Sequence, residues 1–194
     1  MKPVAESCLR NQQPIGDVLS GVFDNVTTVL ELGSGTGQHA VYLAQRFPHL
    51  LWQPSDLNEC LPGMKLWWQE ANLNNLCEPI ELDATSNEWP TISYDAVFTS
   101  NTVHFVSWRI AKALLTGAAK TLKTGGVLCI YGPFNEDGAY TGEGNKQFDQ
   151  WLKSRDPESG IKDIETVEAL LADFGLALKS RHQMPANNLM LVFC

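Results

Sequence analysis

Short apolar, β-branched runs recur along this chain, separated by longer stretches whose apolar positions fall three and four residues apart. The first run is Val26 to Leu32, the second Leu50 to Pro54, the third Pro79 to Leu82, the fourth Tyr94 to Thr99 and the fifth Val127 to Tyr131. Each reads as a buried strand. Helical spacing covers Gly37 to Phe47, Cys60 to Asn74 with an Asn74-Asn75 stop, and a segment capped by Ser107 that runs to Leu122. Ahead of the first strand, Ala5 to Phe23 reads as a helix interrupted near its middle by Pro14. Gly125-Gly126 turns the chain into the fifth strand. Beyond it the pattern loosens. Gly132 to Gly144 reads as a glycine-rich loop, and a helix near Asn145 to Ser154 puts Phe148, Trp151 and Leu152 on one face. Asp163 caps another helix, with Ile164, Val167, Leu170, Leu171 and Phe174 on one face and Gly175 at its end. Leu176 to Arg181 and Leu189 to Phe193 close the chain as strands.

Strands alternating with helices predict an α/β fold with a mostly parallel sheet and helices on both faces. The last two strands have no helix between them, so they pair as an antiparallel hairpin at the end. Without repeats or low-complexity linkers, residues 1–194 read as a single domain. Composition acts mainly by exclusion. With 44% apolar residues the chain has a full core, and a net charge of −8 with scattered Lys and Arg argues against nucleic acid as a main partner. Five well-separated cysteines without a C-x-x-C pair suit a reducing, cytoplasmic setting, with neither a disulfide framework nor a metal site expected. Met1 to Ser20 lacks the apolar core of a signal peptide, and no run is long enough for a transmembrane helix, so no membrane partner is expected.

The chemistry concentrates after the first strand, in Glu31-Leu32-Gly33-Ser34-Gly35-Thr36-Gly37. A strand, a glycine-rich turn and a helix make a loop that wraps a ligand, with no Cβ in the way and a helix N-terminus nearby. The glycines fall as G-x-G-x-G, not as the dinucleotide G-x-G-x-x-G, and the Glu31 carboxylate suits a cationic cofactor better than a pyrophosphate. A glycine-rich turn without a ligand is the alternative. Asp56, Asp83 and Asn101 stand at the ends of the next strands, where an open α/β sheet binds its ligand. Asp56 lies at the spacing of an acid that accepts from both ribose hydroxyls, a reading the spacing favours over the alternative of capping the following helix.

Glu31 with the three glycines resembles motif I of the class I S-adenosylmethionine-dependent methyltransferases. The resemblance implies their Rossmann-like fold, a seven-stranded sheet with a C-terminal antiparallel hairpin, and S-adenosylmethionine as cofactor. It assigns Glu31, Gly33, Ser34, Gly35, Gly37, Asp56, Leu57, Asp83, Ala84 and Asn101 to that cofactor. Asp83 would read the adenine amino group, Ala84 would offer its N–H beside the ring, and Asn101 would border the methionine part or the methyl. Asp83 as a turn residue and Asn101 as a local backbone partner are the alternatives. Longer strings extend the likeness: Arg10-Asn11 with Pro14-Ile15, Pro54-Ser55-Asp56, Asn101-Thr102-Val103-His104, Tyr131-Gly132-Pro133-Phe134, Arg155-Asp156-Pro157, Gly160-Ile161-Lys162-Asp163 and Met184-Pro185-Ala186-Asn187-Asn188-Leu189. Together they resemble a small methyltransferase-like family still labelled a domain of unknown function. Where that family carries Ala-Glu-Arg-Asn, this chain has Glu6 and then Leu9-Arg10-Asn11, so the acid is displaced.

His104 is the candidate general base, with a packing histidine as the alternative. Arg10, Asn11, Tyr131, Asn135, Arg155, Asn187 and Asn188 are the candidate acceptor-binding residues. Arg155 could instead pair with Asp156, and Asn187-Asn188 could simply make the hairpin turn. Residues 1–24 read as a helical lid and 132–162 as an acceptor-side insertion. The expected function is methyl transfer to a small molecule. A non-catalytic cofactor-binding protein, a methyltransferase for protein or RNA, and a nucleotide-dependent oxidoreductase are the rivals.

Overall fold

The computed structural model describes residues 2–194. In chain order the elements are α1 (Glu6–Val22), β1 (Thr28–Leu32), α2 (Gln38–Arg46), β2 (Leu51–Asp56), α3 (Leu61–Ala71), β3 (Ile80–Glu81), β4 (Tyr94–Ser100), α4 (Trp108–Thr121) and β5 (Leu122–Gly132). There follow β6 (Phe134–Glu136), β7 (Ala139–Tyr140), α5 (Glu143–Arg155), β8 (Lys162–Asp163), α6 (Ile164–Ala172), β9 (Leu178–Met184) and β10 (Asn188–Phe193). Seven strands join in the order β3-β2-β1-β4-β5-β10-β9, and β10 alone runs against the others. β1 sits between β2 and β4, so strand order reverses there and a crevice opens at the carboxyl ends of β1 and β4.

The sheet is covered on both faces, which explains the unbroken apolar runs of its central strands. On one face Ile15, Leu19 and Phe23 of the α1 region pack with Leu43, Trp52 and Phe98. On the other, Leu30, Leu32 and Ile130 pack with Leu115 of α4 and Val167 and Leu171 of α6. Residues 134–163 add a small sheet, β7-β6-β8, beside the end of β5.

Several elements differ from expectation. α1 continues unbroken through Pro14. Proline denies the Arg10 carbonyl its helical donor, but burial of Ile15 and Leu19 outweighs that loss. The expected loop 132–144 contains β6 and β7, because β6 pairs with β8 across a long sequence separation. Asp163 stands at the start of α6 without capping it through its side chain, and its Oδ1 is buried away from any donor. β5 starts earlier than expected, and β9 is displaced toward the hairpin turn.

Asp95 fastens the amino ends of three strands. Its Oδ2 accepts from the Thr27 and Thr28 N–H groups, both at 3.0 Å, and from both hydroxyls, while Oδ1 accepts from Lys123 Nζ at 2.7 Å. Burial alone would raise its pKa; the Lys123 ammonium and the threonine donors outweigh this and hold the carboxyl well below the usual range. Asp95→Ala is expected to cost about 2 kcal/mol of unfolding free energy, read as a lower urea midpoint at unchanged slope.

Candidate functional site

Gly33, Gly35 and Gly37 have φ of +68°, +57° and +85°, a conformation that side chains other than glycine's rarely tolerate. A Cβ on Gly33 would lie 2.5 Å from Thr102 Oγ1, so the loop is seated against the chain leaving β4. A Cβ on Gly35 would meet nothing within 4 Å, because that residue faces the open crevice. Ser34 is buried and structural: its N–H donates to Ser55 O at 3.0 Å, and its Oγ accepts from Ser55 N at 3.2 Å. Asp56 reaches back over the loop. Its Oδ2 accepts from Gly35 N at 2.6 Å and its Oδ1 from Leu57 N at 2.7 Å. The carboxylate keeps lone pairs for incoming hydroxyls.

Glu31 lies beneath the loop, 1% exposed, and its Oε2 accepts from Trp52 Nε1 at 2.7 Å. Burial, reinforced by the nearby Asp56 charge, raises its pKa to about 7 despite the Trp52 hydrogen bond. Beside it His39 Nε2 lies 2.7 Å from Asn11 Oδ1, and Cys8 Sγ lies 3.8 Å from Nδ1. Burial lowers the pKa of His39 to about 4, so the ring is neutral at physiological pH. Asn11 therefore anchors α1 to α2. The segment ahead of α1 is tied down too: Ala5 N donates to Gln38 Oε1 at 2.5 Å, and Trp67 Nε1 donates to Pro3 O at 2.7 Å.

Asp83 forms a turn, its Oδ1 accepting from Thr85 N and Thr85 Oγ1, each at 2.8 Å. These bonds lower its pKa, and its second oxygen carries no hydrogen bond from another described residue. Ala84 lines a separate groove with Trp89 and Arg109. Asn101 has φ +56° and donates its N–H to Tyr131 O at 2.9 Å, which holds it at the carboxyl end of β4.

A cavity of about 530 Å³ opens beside Asn101. Arg10, Asn101, His104, Asn187 and Asn188 all line it, and so do Phe105, Phe148 and Trp151. The remaining expected acceptor residues do not. Asn11 is turned to His39. Tyr131 is buried beneath the wall, where its hydroxyl accepts from Asn188 Nδ2 at 3.0 Å. Asn135 belongs to β6. Arg155 makes no ion pair with Asp156 among the described residues; its guanidinium sits 4.8 Å from the Trp151 ring centroid. A second cavity of about 530 Å³ opens at the opposite end of the sheet, near Lys123, Lys179 and His182, away from the glycine loop.

His104 is 3% exposed and packs on Gly132, where a Cβ would come within 3.2 Å of Nδ1. Burial, and then the positive charge of Lys162, lowers its pKa to about 3. The ring can accept a hydrogen bond, but storing a proton there is unfavourable, which weakens its candidacy as a base. Lys162 is itself held by the carbonyls of Val106 and Gly160 at 2.9 and 2.7 Å.

A family model described as "Protein of unknown function (DUF938)" matches residues 2–194. The chain belongs to the DUF938 family. Solved structures resemble this DUF938 chain at low identity. An O-methyltransferase family protein from Burkholderia thailandensis superposes with a TM-score of 0.85 at 22% identity, covering 97% of this chain and 57% of that one. A putative O-methyltransferase from Nostoc punctiforme gives 0.82 at 16%, covering 96% and 56%. An O-methyltransferase family 2 protein from Planctomyces limnophilus, in complex with apigenin, gives 0.76 at 16%, covering 94% and 61%. The DUF938 chain thus spans little more than half of each, and what they share with it is the methyltransferase Rossmann-like fold. None of the DUF938 chain's helices within residues 2–194 is long and apolar enough to cross a membrane.

The sequence reading missed the aromatic wall. Phe148 and Trp151 stack with centroids 5.6 Å apart and planes 15° apart, and Phe105 meets both edge-on. Their i,i+3 spacing on one helix was the available signal; Phe105, from a distant segment, offered none.

The raised pKa of Glu31 means that the folded state holds a proton the unfolded chain releases. That contribution is present below about pH 4.5 and is lost as pH rises toward 7. Buried His39 acts oppositely below its ordinary value, so comparison with a variant isolates Glu31. Glu31→Gln should gain stability relative to the parent by about 2 kcal/mol between pH 5 and pH 8, measured by denaturant unfolding at each pH.

Proposed function

We propose that this protein transfers the methyl group of S-adenosylmethionine to a small molecule bound in the Asn101 cavity. One observation carries the reading: the glycine loop abuts Thr102, and the adjoining Asn101 and His104 line the cavity, so a cofactor on the loop would border the acceptor. The loop fits that cofactor, since Gly35 leaves open space over the crevice and Asp56 presents a carboxylate beside it. The bound cofactor would supply an electrophilic methyl on a sulfonium, whose C–S bond would break as the acceptor's new bond formed, with S-adenosylhomocysteine as the leaving group.

In this reading Asp56 would hold the ribose hydroxyls and Asp83 the adenine amino group. Glu31 balances the cationic groups from below the loop. Asn101 aligns the methyl with the acceptor, and the cavity walls exclude water. α1 serves as the lid and residues 132–162 as the acceptor side. His104 orients an acceptor proton without taking it. Its weak basicity favours, as a second reading, a protein that binds the cofactor without turnover, which product formation would decide.

Calorimetry with S-adenosylhomocysteine, and with NAD as control, tests the cofactor assignment. The parent should bind only S-adenosylhomocysteine, and Asp56→Ala should weaken that binding at least ~tenfold. Failure to bind it, or preference for NAD, would leave only the fold.

A further inference from the structure

The cavity beside Asn101 has a charge and shape that narrow its occupant. The protein as a whole is acidic, with 22 Asp and Glu against 14 Lys and Arg. Yet among the described residues no carboxylate lines this cavity, and Arg10 is the one full charge on its wall. Arg10 forms no ion pair with a described residue. Just behind the wall lies Lys162, whose partners are carbonyl groups. Two acids, Asp149 and Asp156, lie near Lys162; Asp149 is 1% exposed and saturated, accepting from Tyr140 Oη at 2.7 Å, Lys153 Nζ at 2.6 Å and Ile161 N at 2.7 Å. The wall itself therefore carries a cation and no anion although the protein is negative.

The aromatic wall lines the same cavity as Arg10. Phe105 and Trp151 are 44% and 46% exposed and meet edge-on, so the wall presents a contiguous apolar surface. His104 extends the wall, meeting Phe148 edge-on at 5.4 Å. A cavity of about 530 Å³ falls within the range of small-ligand sites. Arg10 presents a planar fork matched to a carboxylate or phosphate.

We infer that the acceptor is a planar aromatic anion, its ring against Phe148, Trp151 and Phe105 and its carboxylate or phosphate on Arg10. This rests on the methyl-transfer reading for its consequence, while the binding is measurable without turnover.

The test is calorimetry of the full chain, with and without saturating S-adenosylhomocysteine, using 6-hydroxy-2-naphthoate, 2-naphthyl phosphate, 6-hydroxy-2-naphthamide and cyclohexanecarboxylate. One or both aromatic anions should bind at least ~tenfold more tightly than the amide, and cyclohexanecarboxylate should bind more weakly than the naphthoate. Whichever anion binds identifies the headgroup that Arg10 takes. Arg10→Gln should erase the preference over the amide, and Trp151→Ala should weaken every naphthalene probe. Equal binding of amide and anions, an unchanged preference in Arg10→Gln, or no binding of any naphthalene probe would overturn the assignment. Titration with S-adenosylhomocysteine alone reports the cofactor cleft separately. Aromatic anions binding to a protein that ignores S-adenosylhomocysteine would uphold the pocket and sink methyl transfer.

Discussion

The hydrogen bond from Trp52 Nε1 to Glu31 is where core and crevice meet. Trp52 is wholly buried, with Phe23 and Phe98 against it at 6.4 and 6.0 Å, and its indole has one polar atom to satisfy. That atom finds the carboxyl beneath the glycine loop. The contact joins β1 to β2 and fixes the acid where the chain turns toward Gly33. It also keeps a titratable group out of water, poised near neutrality. A change in core packing would therefore alter the charge of the crevice, and a cation in the crevice would alter the cost of the core.

The same economy governs the loop. Left-handed Gly33 brings the backbone against Thr102, left-handed Gly35 leaves space, and Asp56 closes back onto Gly35 N–H. Little of this uses side chains, so the geometry depends on the strand ends that carry it. Asp95, at the far end of the sheet, holds β1, β4 and β5 in register. Anchoring at the amino ends sets the positions of the carboxyl ends.

How much of this was legible in sequence depended on range. The glycine loop, the strand ends at Asp56 and Asn101, and the Ser107 cap were readable because each is set by local backbone demands; Ser107 Oγ accepts from Ile110 N at 3.3 Å as expected. The seven-stranded sheet with its antiparallel hairpin followed from alternation together with family resemblance. β6 was hidden, because it exists only through pairing with β8. Pro14 misled, since local propensity yielded to burial one residue later. Asn11 and Tyr131 do not line the cavity: Asn11 is satisfied by buried His39, and Tyr131 supports Asn188 from behind the wall. The aromatic wall joins Phe105 to α5 across the fold, and no spacing rule reaches that far.

Stiffness is unevenly shared around the cavity. On one side Asp149 rivets α5 to the start of β8, Lys162 grips the carbonyls of Val106 and Gly160, and Gly160 N–H donates to His104 O at 3.0 Å. The aromatic wall and His104 thus behave as one block. Arg10 of α1 also lines the cavity, and the α1 region is tethered to Gln38 and His39 beside the glycine loop. That helix is also seated in the core through Ile15 and Leu19. A single helix therefore contributes Arg10 to one compartment and Asn11 to the support of the other.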